Sequence, residues 1–300
     1  MAVIDLKDRI EALYVPSITE HPRRLRLEHA IDVCERRIWL RSHWAITSER
    51  SPAFWRRRAL EEADAKRLAS ELRAIGYSIG SESIINISPR ISVSASWFMN
   101  GGKRTPLMVG SDTIPVGIVA HAMGLKHGYM LDNDAIHDVP ASEPEHDRVC
   151  NRVERIVQAR RAPEIAEGAP CDGCQFNDLC HGSRLSREVN CRSCAHARTD
   201  DSGEWRCNAG HNADEQDGCP AHVLHPSLVP WELDKENSTR TFAAWRLPDG
   251  RILRNGDPDA DGAHVFESRE IIADPAVCLA QDATIEALRT RMGARIESGD

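Results

Sequence analysis

The sequence predicts an α/β fold to which cysteine-rich segments are added. Three observations support this: apolar residues recur at helical spacing in several segments, β-branched residues crowd residues 82–98, and seven of the ten cysteines fall between Cys171 and Cys219. The chain has 300 residues, of which 41% are hydrophobic. That length and composition can support a core, and they indicate about two domains at about 150 residues each.

The elements of the first half follow from local patterns. Helical spacing of apolar residues predicts a helix over residues 27–42 and a clearer one over 52–75, which Gly76 would end. Residues 82–98 predict strands broken by a proline, and a further strand is expected over 106–111.

The second half contains one ambiguous segment and three clear ones. Residues 114–131 are ambiguous. A helix is expected over 142–161, a hairpin over 240–256 that turns at Pro248-Asp249-Gly250, and a last helix over 282–297.

The chain lacks the patterns of an exported or membrane-spanning protein. Its first residues include several charges and no apolar stretch like that of a signal peptide, and the apolar segment 114–125 is too short to cross a bilayer. Closely spaced cysteines without an export signal favour metal ligation over disulfides. We therefore expect a soluble cytoplasmic protein with no membrane partner.

The net charge of −8 conceals a basic segment. Between His21 and Arg58, ten arginines stand against four acidic residues, a net +6 that leaves −14 for the rest of the chain. Interleaved aromatic residues suit a surface that neutralises phosphates and stacks on bases: Trp39, Trp44, Phe54 and Trp55. The alternative is that the arginines solvate helix faces and the tryptophans lie in the core. The expected DNA-binding residues are Arg36, Arg37, Arg41, Arg56, Arg57 and Arg58.

The cysteines admit two pairings. Cys171, Cys174 and Cys180 follow the spacing C-x2-C-x5-C and need a fourth metal ligand. One pairing adds the distant Cys34 and leaves a second, local quartet: Cys191, Cys194, Cys207 and Cys219. The other makes a four-cysteine zinc site of two C-x2-C pairs: Cys171, Cys174, Cys191 and Cys194. Spacing alone leaves both pairings open.

Several of these motifs resemble one protein family. Cys34-Glu35-Arg36 followed by Trp39, with the distant Cys171-Asp172-Gly173-Cys174 and Leu179-Cys180-His181-Gly182, resembles the iron-sulfur branch of the PD-(D/E)XK nucleases. That branch includes the AddB-type helicase-nucleases, the CRISPR-adaptation exonucleases and bacteriophage proteins of the same plan. Further segments are similar to the phage members: Arg73-Ala74-Ile75-Gly76, Asn190-Cys191-Arg192-Ser193-Cys194 and Arg254-Asn255-Gly256.

The resemblance implies a reduced PD-(D/E)XK-like core clasped by an iron-sulfur cluster, a small zinc-binding module and a C-terminal hairpin-helix unit. The corresponding domains would be residues 1–185, 186–230 and 231–300. In the family, one cysteine before the core and three after it hold a 4Fe-4S cluster. By resemblance the cluster ligands here are Cys34, Cys171, Cys174 and Cys180, and the zinc ligands are Cys191, Cys194, Cys207 and Cys219.

The hydrolytic residues of the family are missing from their expected positions. Its chemistry needs an acidic residue, an Asp on one strand and Glu-x-Lys on the next, which hold Mg²⁺ or Mn²⁺ and orient water. The corresponding stretches here read Val93-Ser94-Ala95-Ser96-Trp97 and Leu107-Met108-Val109-Gly110-Ser111-Asp112. Glu62 and Asp112 are the nearest candidate carboxylates, and we assign no catalytic residue.

Three histidines raise the question of a further metal site: His121, His127 and His137. Their spacing follows no regular ligand pattern, and thirteen histidines in the chain make chance proximity common. We therefore expect these three side chains to be structural.

The leading expectation is a phage-type DNA-binding pseudo-nuclease that acts in phage DNA metabolism or against a host nuclease or defence complex. Its ligand would be single-stranded DNA or duplex ends. One alternative is an active metal-dependent DNA exonuclease that uses displaced carboxylates with Mg²⁺ or Mn²⁺. The other is a protein-interaction scaffold whose metal sites are purely structural.

Overall fold

The computed structural model describes residues 24–46, 56, 59–60, 63, 66–67, 70–76, 78–100, 103–109, 112–132, 135–182, 184–211, 218–257 and 264–292. They form a mixed α/β structure with two compact units. The described residues of Met1–Val33 and Thr47–Ile156 form the first unit, and those of Cys34–Ile46 and Val157–Asp300 form the second. This division differs from the expected domains 1–185, 186–230 and 231–300, which stay predictions.

The first unit is built on a six-stranded mixed sheet. Its strands are β1 (Leu25–Arg26), β2 (Ser78–Ser88), β3 (Ile91–Asn100), β4 (Lys103–Val109), β5 (His127–Leu131) and β6 (Ile136–Pro140). β2 pairs antiparallel with β3 along one edge, while β1 pairs parallel with the start of β3 and β4 pairs antiparallel with its end. β5 is parallel to β4, and β6 is antiparallel to β5.

Helices occur in both units. They are α1 (Leu27–Ala30), α2 (Glu35–Ser42), α3 (Ile114–Ala122), α4 (Glu143–Val157), α5 (Asn177–Cys180), α6 (Ser268–Ala273) and α7 (Pro275–Met292). Residues 70–74 are also helical, and Gly76 follows them with φ +99°. That left-handed conformation suits glycine and agrees with the predicted end of the helix over 52–75.

Helix α3 connects the parallel strands β4 and β5 and packs closely on the sheet. Val116 lies with Met130 and Val139 in one apolar cluster, where all three side chains are buried. The close packing needs a glycine in β5, because a Cβ on Gly128 would lie 2.7 Å from Val116 Cγ1. The ambiguous segment 114–131 thus contains both a helix and a strand.

One predicted helix of the first half is wrong in its length. Instead of one helix over 27–42, α1 ends at Ala30 and α2 begins at Glu35. Cys34 interrupts the helix because it is extended, with φ −89° and ψ 105°, at the N-cap of α2. The strands predicted over 82–98 are confirmed as β2 and β3, divided at residues 89–90. The strand predicted over 106–111 is confirmed as β4 up to Val109, and residues 110–111 lie outside the described residues.

The second unit contains two small antiparallel sheets. Strands β7 (Ala197–Thr199) and β8 (Trp205–Cys207) form a hairpin, and β9 (Glu232–Asp234), β10 (Phe242–Arg246) and β11 (Ile252–Gly256) form a sheet in the order β11-β10-β9. Its main core cluster includes Trp245, Leu253, Phe266, Ile271 and Leu279.

The predicted elements of the second half are largely present. The helix expected over 142–161 is α4, and the hairpin expected over 240–256 is formed by β10 and β11. The last helix begins earlier than predicted, at Pro275, and residues 293–297 of that prediction lie outside the described residues. In the part of the chain that the structure describes, no helix is long and apolar enough to cross a membrane.

Candidate metal centres and nucleic-acid surface

The first cysteine group lies in the second unit, at the ends of two helices and in one tight turn. Cys34 immediately precedes α2, and Cys180 is the last residue of α5. Between Cys171 and Cys174 the chain makes a tight turn in which the Cys174 N–H donates to the Cys171 carbonyl at 3.0 Å. Gly173 has φ +71° in this turn, a conformation that most other residues adopt only at a cost.

Electrostatic interactions group three of these cysteines. Burial raises the pKa of the Cys180 thiol, a hydrogen bond from Arg36 opposes that rise, and the thiols of Cys174 and Cys34 raise the pKa further. Such mutual effects require the sulfurs to lie near one another. The Cys34 and Cys174 thiols are thus within electrostatic reach of Cys180, although Cys34 comes far earlier in the chain.

The side chains of α2 attach this helix to the segment before the cysteine turn. Arg36 donates to the Pro163 carbonyl at 3.0 Å, Arg37 donates to the Pro170 carbonyl at 2.9 Å, and Trp39 Nε1 donates to the Ala159 carbonyl at 2.9 Å. These bonds connect residues that are distant in sequence. They hold the residue next to Cys34 beside the segment that leads to Cys171.

The second cysteine group surrounds a short 3-10 turn. Cys191 is the first residue of the turn Cys191–Ser193, and Cys194 follows it directly. A capping box stabilises the turn: Asn190 Oδ1 accepts from the Ser193 N–H at 2.9 Å, and Ser193 Oγ accepts from the Asn190 N–H at 3.1 Å. Cys207 ends strand β8 and pairs in register with Ala197. Cys219 begins another turn, since the His222 N–H donates to its carbonyl at 3.0 Å.

Cys194 has a strongly perturbed thiol. Burial raises its pKa to about 12, and the thiols of Cys207 and Cys219 add to that rise. Two backbone N–H groups, those of His196 and Val223, point at its Sγ at 3.4 Å. These amide donors lower the pKa and so oppose part of that rise, and a bound metal ion would supply the charge that removes the proton from this buried sulfur.

The sulfurs of the two groups are less tightly clustered than one other set of ligands. Among the described residues, three ligand atoms come within 4.8 Å of one another at His121, His146 and Asp147. Neither cysteine quartet has three sulfur atoms grouped in this way. Sulfurs around a single zinc ion at 2.3 Å lie about 3.8 Å apart, so zinc binding would draw the second group inward.

The tryptophans of the basic segment that the structure describes are core residues, so the expectation that they stack on bases is wrong. Trp39 is fully buried and stacks on His43 with ring centroids 3.6 Å apart. Trp44 is 5% exposed, and the guanidinium carbon of Arg192 lies 4.0 Å from its ring centroid. Phe54 and Trp55 lie outside the described residues.

The candidate DNA-binding arginines have different surroundings. Arg36, Arg37 and Arg41 are half-buried on α2, whereas Arg56 is exposed. Arg57 and Arg58 lie outside the described residues. Arg36 and Arg37 therefore already donate to backbone carbonyls, and any contact with DNA would be in addition to those hydrogen bonds.

The structure describes one of the two candidate hydrolytic carboxylates. Asp112 is exposed, and its Oδ1 accepts the Ile114 N–H at 3.0 Å in an Asx-type turn just before α3. Glu62 lies outside the described residues. Strands β3 (Ile91–Asn100) and β4 (Lys103–Val109) contain no Asp or Glu.

Two of the three histidines that we expected to be structural pair with neighbouring acids. His127 Nδ1 lies 3.1 Å from Asp138, and His137 Nε2 lies 2.6 Å from Asp132. The third, His121, approaches His146 and Asp147, a grouping that sequence reasoning missed. The available signal was the i, i+4 spacing of His146 and Cys150 on a predicted helix.

Comparison with known proteins leaves the family open. No family model matches the chain, and no curated protein matches it. One solved structure, described as "Crystal structure of SSO0001", has 15% sequence identity and a TM-score of 0.35, over 58% of this chain and 93% of that one. A TM-score this low carries no argument. The fold and the site define a mixed α/β protein with two cysteine groups.

Proposed function

We propose that this chain is a nuclease-like DNA-binding protein of the bacteriophage type, with a structural 4Fe-4S cluster, a structural zinc ion and little or no hydrolytic activity. The observation that carries the proposal is the attachment of α2, which begins directly after Cys34, to the segment that leads to Cys171 through the hydrogen bonds of Arg36, Arg37 and Trp39. A distant cysteine brought to a local group is the ligand pattern that the resemblance implies. Action in phage DNA metabolism or against a host nuclease or defence complex belongs to the same proposal.

The surroundings of the first cysteine group fit an iron-sulfur cluster. Cys34, Cys171, Cys174 and Cys180 supply four thiols, and Arg36 already donates to one of them. The Nε of Arg36 is buried and has no hydrogen-bond partner among the described residues. A cluster offers sulfur acceptors to such donors and cross-links its ligands covalently. In this chain it would tie α2 to residues 171–180.

The second cysteine group fits zinc. Cys191, Cys194, Cys207 and Cys219 come from a 3-10 turn, a strand end and a further turn, and two amides stabilise the Cys194 sulfur. The strands of this region are only three residues long, too short to support a module alone. A closed four-thiolate zinc site would supply the missing stability.

The sheet supports the absence of hydrolysis. In this proposal, helical residues 70–74 are followed by β2, β3, β4, α3 and β5, and β3 and β4 correspond to the two strands on which the family carries its metal ligands. Those strands have no carboxylate here, so a Mg²⁺ or Mn²⁺ ion would lack the hard oxygen ligands it requires. Incubation with labelled DNA and Mn²⁺ should leave the DNA intact. Robust cleavage that disappears in Asp112→Ala or Glu62→Ala would favour the active exonuclease.

The arginine segment provides the proposed DNA surface. In this proposal Arg36 and Arg37 mainly orient α2 through their bonds to backbone carbonyls, while Arg41, Arg56, Arg57 and Arg58 meet phosphates. Four phosphate contacts should make log affinity fall with log salt at a slope of about −3 to −4, with single strands toward the shallower end.

A mobility-shift titration at several salt concentrations tests this surface. Replacing Arg56, Arg57 and Arg58 together by Ala should flatten the salt slope while leaving the cluster's brown colour unchanged. The matched control replaces three arginines that pair with acidic neighbours, namely Arg67 with Glu71, Arg148 with Glu145 and Arg251 with Asp249. Equal flattening in both triple variants would indicate a net-charge effect. A wild-type protein that shifts no DNA at low salt would favour the protein-interaction scaffold.

A further inference from the structure

A group of metal-ligating side chains belongs to the first unit, whereas both cysteine groups belong to the second. His121 is in the last turn of α3, and His146 and Asp147 are in the first turns of α4. One ligand atom from each residue lies within 4.8 Å of the other two. The rings of His121 and His146 have centroids 4.8 Å apart at an interplanar angle of 54°.

The backbone fixes this arrangement independently of the three side chains. The Ser142 N–H donates to the Gly117 carbonyl at 3.0 Å, which joins the start of α4 to the middle of α3. His121 comes four residues after Gly117, and His146 comes four residues after Ser142, whose carbonyl accepts the His146 N–H at 3.1 Å. Each histidine is thus one helical turn beyond the same contact, which agrees with the observed proximity of the two rings.

Gly117 maintains the close approach of the two helices. A Cβ at this position would lie 3.0 Å from the Pro140 carbonyl oxygen and 3.4 Å from Ser142 Cβ. The site therefore rests on rigid elements with a fixed separation. Such support is what a preorganised metal site requires.

The neighbouring side chains complete the chemistry. Asp147 Oδ1 lies 3.0 Å from His146 Nδ1, and Cys150, one turn further along α4, has its Sγ 3.7 Å from His146 Nε2. Arg148, which follows Asp147, pairs with Glu145 at 2.5 Å instead. Two imidazoles, a carboxylate and a nearby thiol suit borderline or soft divalent ions, whereas Mg²⁺ and Ca²⁺ prefer oxygen ligands alone.

We propose that His121, His146 and Asp147 form a binding site for a divalent transition-metal ion of the zinc class, with Cys150 beside its open position. The ligand atoms must move inward to reach bonds of about 2.0–2.2 Å. All three side chains are half-buried or exposed, so their rotamers can make this adjustment. The site is independent of the proposed DNA-binding function.

Equilibrium dialysis against Zn²⁺, with metal analysis by atomic emission, tests the site on full-length protein whose cysteine groups are already loaded. Wild-type protein should take up one zinc equivalent more than the double variant His121→Gln/His146→Gln. The matched control is His127→Gln/His137→Gln, which removes two half-exposed histidines from the same unit and should retain that equivalent.

A second variant guards against misfolding of the first. Asp147→Asn changes an exposed residue and should weaken binding of the additional zinc at least tenfold while leaving the circular dichroism spectrum unchanged. If wild-type protein binds no additional zinc, or if Asp147→Asn and the double variant bind it as tightly as wild type, the proposed site does not exist.

Discussion

At the scale of the single residue, Arg36 has a structural role that its charge alone does not indicate. Its guanidinium donates to the Pro163 carbonyl and interacts with the Cys180 thiol. From sequence, this arginine belongs to a basic surface, because charge and spacing are visible and hydrogen-bond partners are not. The same limit applies to Trp39, whose burial depends on His43, His225 and the Ala159 carbonyl.

Replacing Arg36 by Gln should lower the free energy of unfolding by about 1–3 kcal/mol, because it breaks a bond to a carbonyl and leaves partly buried groups unsatisfied. Urea titration followed by circular dichroism measures the change. The control Arg56→Gln, at an exposed position, should change stability by less than about 0.5 kcal/mol. Equal stability of Arg36→Gln and wild type would contradict the structural role of Arg36.

At the scale of elements, periodicity predicted most helices and strands but not where they are interrupted. Residues 27–42 have one helical pattern, yet the helix breaks before Cys34, whose extended backbone starts α2. The segment 114–131 was ambiguous because an apolar helix and a buried strand share one composition. Tertiary contacts divide this segment into a helix and a strand: β5 pairs with β4, and Val116 of the helix packs against Gly128 of the strand.

Gly128→Ala should destabilise the first unit by about 1–3 kcal/mol, since the new methyl group would overlap Val116 and lie 3.1 Å from Pro106 Cγ. Thermal unfolding of a double-mutant cycle with Val116→Ala measures the coupling. In the Val116→Ala background the same substitution should cost less, because the overlap is removed. Additive effects would show that the helix is not held this close to β5.

The turn of the β7–β8 hairpin should depend on Asp200. Hydrogen bonds from Ser202 and Arg206 hold the pKa of its carboxyl below the ordinary value of 3.8, at about 2. Because the folded-state pKa is depressed, this stabilisation is complete above about pH 3.8 and is lost as the pH falls through about 2. Asp200→Asn should therefore be less stable than wild type at neutral pH, and the difference should shrink below pH 3.8.

Chemical denaturation at a series of pH values checks this prediction. The neighbouring substitution Asp201→Asn, which affects a single contact with Gln158 at 3.3 Å, serves as the control. A difference between Asp200→Asn and wild type that stays constant from pH 6 to pH 2 would contradict the assignment.

At the scale of the whole molecule, the chain enters the second unit at Cys34–Ile46, returns to the first, and re-enters the second at Val157. Hydrogen bonds attach the short segment Cys34–Ile46 to the rest of the second unit. They include one from Ser186 Oγ to the Ala45 carbonyl at 2.5 Å and one from Asn190 Nδ2 to the Trp44 carbonyl at 3.2 Å. Spacing of the cysteines could not reveal this path. The family resemblance implies that Cys34 joins the later group, which stays a prediction, and the bonds of α2 attach the residues that follow Cys34 to the segment before Cys171.

Metal and sulfide analysis of anaerobically purified protein tests the central claim most directly. Wild-type protein should contain one 4Fe-4S cluster and a zinc ion held by the second cysteine group. Cys34→Ala should lose iron, sulfide and colour but keep that zinc, and Cys194→Ala should lose it but keep the cluster. The control Cys278→Ala, which alters a buried thiol in the apolar core, should keep both. Colourless protein with two zinc ions and no sulfide, or Cys34→Ala indistinguishable from wild type, would contradict the account.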